Sequence, residues 1–141
     1  MIFSTLAGEA VVPSMLTNPI GSLPIVLVVE DEMLLRMKAV DMVRDAGFPS
    51  IEAVDADEAL AMLESRSDIA LLFTDIQMPG SMDGLKLAHA VRERWPSIKI
   101  ILVSGLLRLS TDEIPRGSRF FGKPLISDEM VAEMRNMIDP T

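Results

Sequence analysis

Runs of apolar residues with almost no polar alternation constrain this chain most. They are Ile25-Val26-Leu27-Val28-Val29, Ala70-Leu71-Leu72-Phe73-Thr74 and Ile98-Lys99-Ile100-Ile101-Leu102-Val103. Each has the length of a strand, and a strand buried on both faces reads this way, whereas a half-exposed strand alternates. Helical patterns lie between them. The chain therefore predicts repeated βαβ units, which build a parallel sheet covered by helices on both faces.

The punctuation sets the boundaries. A first strand over about 25–29 precedes a helix over about 32–46, which Gly47 stops as a C-cap residue. A second strand covers about 50–54, and Asp55 with Glu58 forms a capping box for a helix over about 56–66. The third strand, about 70–74, runs into the loop forced by Met78-Pro79-Gly80, and a helix follows over about 83–94. Trp95-Pro96 closes that helix, because Pro disfavours helical backbone in the residue before it. After the fourth strand, about 98–103, the segment 106–118 holds Pro115, Gly117 and only a short helix candidate at about 110–114. A last short strand, Arg119-Phe120-Phe121-Gly122, leads to a helix over about 128–138 with Ser127 as its cap. Met130, Met134, Met137 and Ile138 give that helix one apolar stripe.

Four of these strands end in residues that bear chemistry. The first ends in Glu30-Asp31-Glu32, the third in Asp75, the fourth in Ser104-Gly105 and the last in Lys123-Pro124. Ligands of open parallel sheets bind beyond the carboxyl ends of the strands, so these groups should converge. Asp75 is placed to act as a nucleophile and form an acyl phosphate. Both partners in that reaction are anionic. Glu30 and Asp31 can hold a bridging Mg²⁺, which takes a few carboxylates plus phosphoryl oxygens. Lys123 can pair with a phosphoryl oxygen as a point charge, and Ser104 can donate a hydrogen bond to another. Taken singly, each residue has a plainer reading. Asp31 or Glu32 is equally suited to cap a helix, Ser104-Gly105 to make a turn, and His89 to sit on a helix surface. The ordered set carries the signal.

Composition removes other classes. The 141 residues fit one domain, and 49% hydrophobic residues describe a folding chain. A net charge of −8 argues against nonspecific binding to nucleic acid or anionic membrane. There is no Cys, which excludes disulfides and thiol catalysis, and a single His cannot build a His-rich metal site. No stretch is long and apolar enough to span a bilayer. Residues 1–23 contain Pro13, Pro19 and Gly21 but no basic n-region, and are expected to be a flexible extension before a domain over 24–141.

Val28-Val29-Glu30-Asp31-Glu32, Asp75-Ile76-Gln77-Met78-Pro79, Met82-Asp83-Gly84, Val103-Ser104-Gly105 and Lys123-Pro124 together resemble the receiver domain of bacterial response regulators. The resemblance spans about 24–138. It implies a flavodoxin-like α/β three-layer sandwich with a five-stranded parallel sheet in the order 2-1-3-4-5. The fourth helix of that fold, at about 110–114 here, is expected to be short or irregular. It also implies roles. Asp75 matches the phospho-accepting aspartate. Glu30 and Asp31 match the acidic pair that holds Mg²⁺, and Gln77 the residue whose backbone carbonyl completes the metal shell. Ser104 matches the switch hydroxyl, Lys123 the lysine of the site, and Phe120 the aromatic switch position. Leu106, two after Ser104, is expected to hinder an attacking water. The loop between Pro79 and Gly84 is one residue longer than the family pattern.

The reading that follows is a single-domain, cytoplasmic response regulator of a two-component phosphorelay. It would take a phosphoryl group from a sensor histidine kinase or a histidine phosphotransfer protein and signal to a further downstream protein by contact. It would be an enzyme only in promoting its own phosphorylation and dephosphorylation. An interaction module that works without phosphorylation is the alternative on the same fold. A haloacid-dehalogenase-type phosphohydrolase would need a second acid two residues after the nucleophile, where this chain has Gln77. An FMN binder would face phosphate repulsion from Glu30, Asp31 and Asp75 and has no Tyr to flank the flavin.

Overall fold

The structure is a computed structural model, and it describes residues 23–80, 82–105 and 109–139. The elements run β1 (Ile25–Val29), α1 (Met33–Ala46), β2 (Ser50–Ala53), α2 (Ala56–Ser65) and β3 (Ile69–Asp75), then α3 (Gly84–Arg94), β4 (Lys99–Ser104), β5 (Arg119–Gly122) and α4 (Ser127–Ile138). The strands form one parallel sheet in the order β2-β1-β3-β4-β5, as the resemblance implied.

Alternate side chains of each strand point to opposite faces, and two apolar layers result. Ile25, Leu27 and Val29 of β1 join Leu72, Ile100 and Leu102 under α2 and α3, which contribute Ala59, Leu63, Leu87 and Val91. Val26 and Val28 join Leu71, Phe73, Ile101 and Val103 under α1 and α4, which contribute Ala39, Val43, Met130 and Met134. Burial on both sides is why β1, β3 and β4 show no polar alternation. The methionine stripe of α4 belongs to this core, with Met130 and Met134 fully buried.

Local chemistry explains the helix limits. Glu32 is the N-cap of α1, its carboxylate accepting from Leu35 N at 2.9 Å. Asp55 caps α2, accepting from Glu58 N at 2.9 Å, and Glu58 returns a bond from Val54 N at 3.0 Å. Gly47 closes α1 at φ 96°, a left-handed conformation that glycine adopts without strain.

Toward the C-terminal end the expected irregularity between β4 and β5 is present, and one expectation, the Ser127 cap, fails. The helix candidate at 110–114 is a hydrogen-bonded turn, with Glu113 N donating to Ser110 O at 3.0 Å. Proline disfavours helical backbone in the residue before it, so Pro115 discourages the turn from extending through Ile114. Among the described residues no helix lies between β4 and β5, and α4 is the fourth and last described helix. Ser127 does not cap α4. The cap position is Ile126, which makes no side-chain bond, and Ser127 is the first helical residue. Asp128 and Glu129 in the first turn supply the negative charge that complements the helix dipole there. The expected extension, apart from Leu23, and the expected role of Leu106 lie outside the described residues. No helix among the described residues is long and apolar enough to cross a membrane.

Candidate phosphoryl and metal site

The sheet delivers the predicted residues to one end. The bond from Glu30 N to Ala53 O, at 3.1 Å, continues the β1–β2 pairing one residue past β1. Asp75 is the last residue of β3, paired with Val103, and Ile76 N donates to Val103 O at 2.9 Å. Lys123 follows β5, its N donating to Ser104 O at 2.9 Å. Main-chain bonds thus fix the origin of each functional side chain.

The side chains then meet. Lys123 Nζ lies 3.1 Å from Asp75 Oδ1 and 3.3 Å from Glu30 Oε1. One carboxylate oxygen each of Glu30, Asp31 and Asp75 fall within 4.8 Å of one another, a spacing that a single cation can span. Glu30 and Asp75 are buried, with only Asp31 exposed. Asp75 Oδ1 is buried and accepts no well-directed hydrogen bond among the described residues, Lys123 being its close charge partner. An oxygen in that condition has lone pairs to give to a cation or a phosphoryl donor. Oxygen donors, two of them desolvated, fit a hard divalent cation such as Mg²⁺.

Burial dominates the titration of these acids. It pushes the Asp75 carboxyl above its ordinary range, against the pull of Lys123 and with a further push from Asp31. It does the same to Glu30, where a bond from Glu32 N opposes the shift and Asp75 adds to it. For Lys123 burial pulls down, but the two carboxylates together outweigh it and hold the ammonium above its ordinary value.

Ser104 is buried at the end of β4, and its Oγ donates to the side-chain Oε1 of Gln77 at 2.7 Å. Sequence reasoning gave Gln77 a role through its backbone only, and the side-chain partnership is new. Phe120 is half-buried, packed on the α2–α3 side of the core. Two positioning residues also escaped the sequence. Arg36 donates to Glu30 O at 2.9 Å and pairs with Glu52 at 3.0 Å, tying α1 to the backbone of the acidic pair. Gly84 approaches the backbone of Asp75 so closely that a Cβ there would stand 1.8 Å from Asp75 O. Its place in Met82-Asp83-Gly84 was the only signal for it.

A cleft of about 330 Å³ opens beside the site, with Glu30 and Lys123 on one lip and Leu35, Met42, Phe73 and Leu125 among its apolar walls. His89 stands apart on α3, exposed, its Nε2 3.0 Å from Glu113 O.

The family model of the response regulator receiver domain matches residues 26–114, and this chain belongs to that family. Among curated relatives, the nitrogen assimilation regulatory protein NtrX of Azorhizobium caulinodans is 33% identical over 110 residues, which is 75% of this chain and 24% of that protein. The response regulator receiver protein CpdR of Brucella abortus is 28% identical over 116 residues, covering 80% of this chain and 95% of that protein. A solved response regulator receiver protein from Sinorhizobium medicae superposes with a TM-score of 0.77 at 25% identity, over 84% of this chain and 96% of that one. The chain spans about a quarter of the first of these relatives.

Proposed function

We propose that this chain is a receiver that accepts a phosphoryl group on Asp75 from a phosphohistidine donor and passes the signal on by protein contact. The observation that carries the reading is the contact of Lys123 Nζ with both Asp75 and Glu30, at 3.1 and 3.3 Å, beside the acidic trio. An Asp75 oxygen would attack phosphorus, a P–O bond forming as the P–N bond to the donor imidazole breaks. The departing imidazole keeps the electron pair and takes a proton. Lys123 is set to pair with one phosphoryl oxygen, and Ser104 can donate to a second once it leaves Gln77. Glu30, Asp31, Asp75 and the Gln77 carbonyl would hold Mg²⁺, which when bound neutralises charge between nucleophile and phosphoryl group. Phe120 would then turn inward as the segment between β4 and β5 follows Ser104, a local charge event biasing a two-state element.

The surroundings suit a macromolecular donor. Met33, Leu34 and Met37 on α1 are 60%, 63% and 54% exposed, and Ile126 is 59% exposed. Exposed apolar groups of this density mark a contact surface. A sensor histidine kinase or phosphotransfer protein is the partner this chemistry requires. The match to the receiver protein CpdR over nearly all of that protein's length supports a single-domain regulator.

Intact mass after incubation with a small phosphodonor and Mg²⁺ tests the reading. One added phosphate is expected on the wild type, and none on Asp75→Asn or after chelation. An equal adduct on Asp75→Asn would move the acceptor elsewhere. No adduct from any donor, a phosphohistidine protein included, would favour an interaction module that works without phosphorylation.

A further inference from the structure

A second cleft, of about 810 Å³, lies at the amino end of β4. β4 spans Lys99 to Ser104, so roughly 16 Å of strand separates this cleft from the phosphoryl site. Its rim carries His89, Arg92, Lys99 and Arg116, a concentration of basic groups on a chain of net charge −8. Arg92, Lys99 and Arg116 take part in none of the ion pairs among the described residues, although acids outnumber bases in the chain by 21 to 13.

Arg92 is built into the wall. Its Nη1 donates to Pro96 O at 2.9 Å and to Ile98 O at 2.8 Å, and its Nε is buried without a partner. The guanidinium is therefore held in place before any ligand arrives. Gly117, at φ 80°, makes the turn that brings the 115–118 segment against it, and an added Cβ there would stand 3.9 Å from Arg92 Nη2. Burial, and then the charge of Arg116, pull the Arg92 guanidinium below its ordinary value. No acidic residue is among those lining the cleft. Ile114, Pro115 and Pro96 supply apolar wall.

We propose that this cleft binds a small organic phosphate of nucleotide size, its phosphates between Arg92, Lys99 and Arg116 and its organic part against Ile114 and Pro115. The Nη2 end of Arg92, fixed by the carbonyl bonds of Nη1, and the cations of Lys99 and Arg116 beside it suit a phosphate, and the volume lies within the range of ligand pockets. The segment that forms one wall joins β4 to β5, the strands that carry Ser104 and Lys123. An occupant would therefore be read at the phosphoryl site.

The experiment is calorimetric titration of the full chain with ADP in chelator, alongside adenosine and poly-glutamate. Saturable one-site binding of ADP is expected for the wild type. It should weaken about tenfold or more in Lys99→Glu/Arg116→Glu and persist in Lys123→Gln. The charge-reversed variant should still take phosphate on Asp75, which verifies its fold. ADP binding unchanged by the reversal would overturn the proposal. So would loss of binding in Lys123→Gln, which would assign the anion to the phosphoryl site. Binding of poly-glutamate but not ADP would also overturn it, making the cleft a surface for an acidic protein segment.

Discussion

At the residue scale the site is a balance between burial and one ammonium. Asp75 and Glu30 are both 4% exposed, and burial holds both carboxyls above their ordinary range. The folded state thus keeps these protons to higher pH than the unfolded chain. Stability from such groups is complete below the ordinary carboxylate pKa, about 4, and is lost as pH rises through their folded values. Without Mg²⁺, Asp75→Asn should therefore melt at a higher temperature than wild type near pH 7.5. Lys123 keeps Glu30 as a partner, and the gap should close near pH 3, where Asp75 is protonated in both states. Thermal melts in chelator at both pH values check this, and no gain at neutral pH would contradict it. The same two acids must ionise to hold a cation, so Mg²⁺ affinity should fall as pH is lowered through their raised range. Gln77 offers a second case. Its side chain holds the Ser104 hydroxyl at 2.7 Å. Gln77→Ala should remove that competing acceptor, let the hydroxyl turn more readily to the phosphoryl group and lengthen the acyl-phosphate lifetime by a few-fold. A mass-spectrometric decay with an unchanged or shorter half-life would sink that idea.

At the element scale, helix ends do the positioning. Glu32 closes the start of α1, so of the adjacent acids Glu30 and Asp31 are left to the site. The sequence offered Asp31 and Glu32 as equal cap candidates, and the cap hydrogen bond to Leu35 N decides between them. Gly84 starts α3 against the Asp75 carbonyl, with its own N bonded to Ile76 O at 2.9 Å. Gly84→Ala must push backbone apart, and overpacking of this kind costs about 1–3 kcal/mol or more. Urea denaturation should show at least that loss, together with slower phosphorylation of Asp75. A variant within a few tenths of a kcal/mol of wild type would mean that α3 is free to shift.

At the scale of the whole molecule, two apolar layers sandwich the sheet, and the polar site sits where the strands run out. Filling that site should stabilise the entire fold, because a ligand bound only by the native state adds to its stability. Mg²⁺ at about 100 times its Kd should add about 2.7 kcal/mol to the unfolding free energy of the wild type. The gain should shrink sharply in Asp31→Asn. Chemical denaturation with Mg²⁺ or chelator measures both, and equal stabilisation of the two proteins would locate the ion elsewhere.

Much of this was legible in the chain itself. Unbroken apolar runs specify strands buried on both faces, because only a sheet covered on both sides removes both sets of side chains from water. Parallel strands joined by helices leave their carboxyl ends together, and so the strand pattern alone gathers Glu30, Asp31, Asp75, Ser104 and Lys123. Local bonds defeated the finer reading. Ser127 has the chemistry of a cap yet lies inside α4, and 110–114 has the composition of a helix yet stops after one turn. Tertiary structure alone decided the rest. The Ser104–Gln77 bond, the Arg36 tie to Glu30 and the clearance at Gly84 join residues of different elements. So does the basic cleft of Arg92, Lys99 and Arg116. Periodicity records which face of an element is buried, but side-chain partners across elements depend on distances that only the packed sheet and helices set.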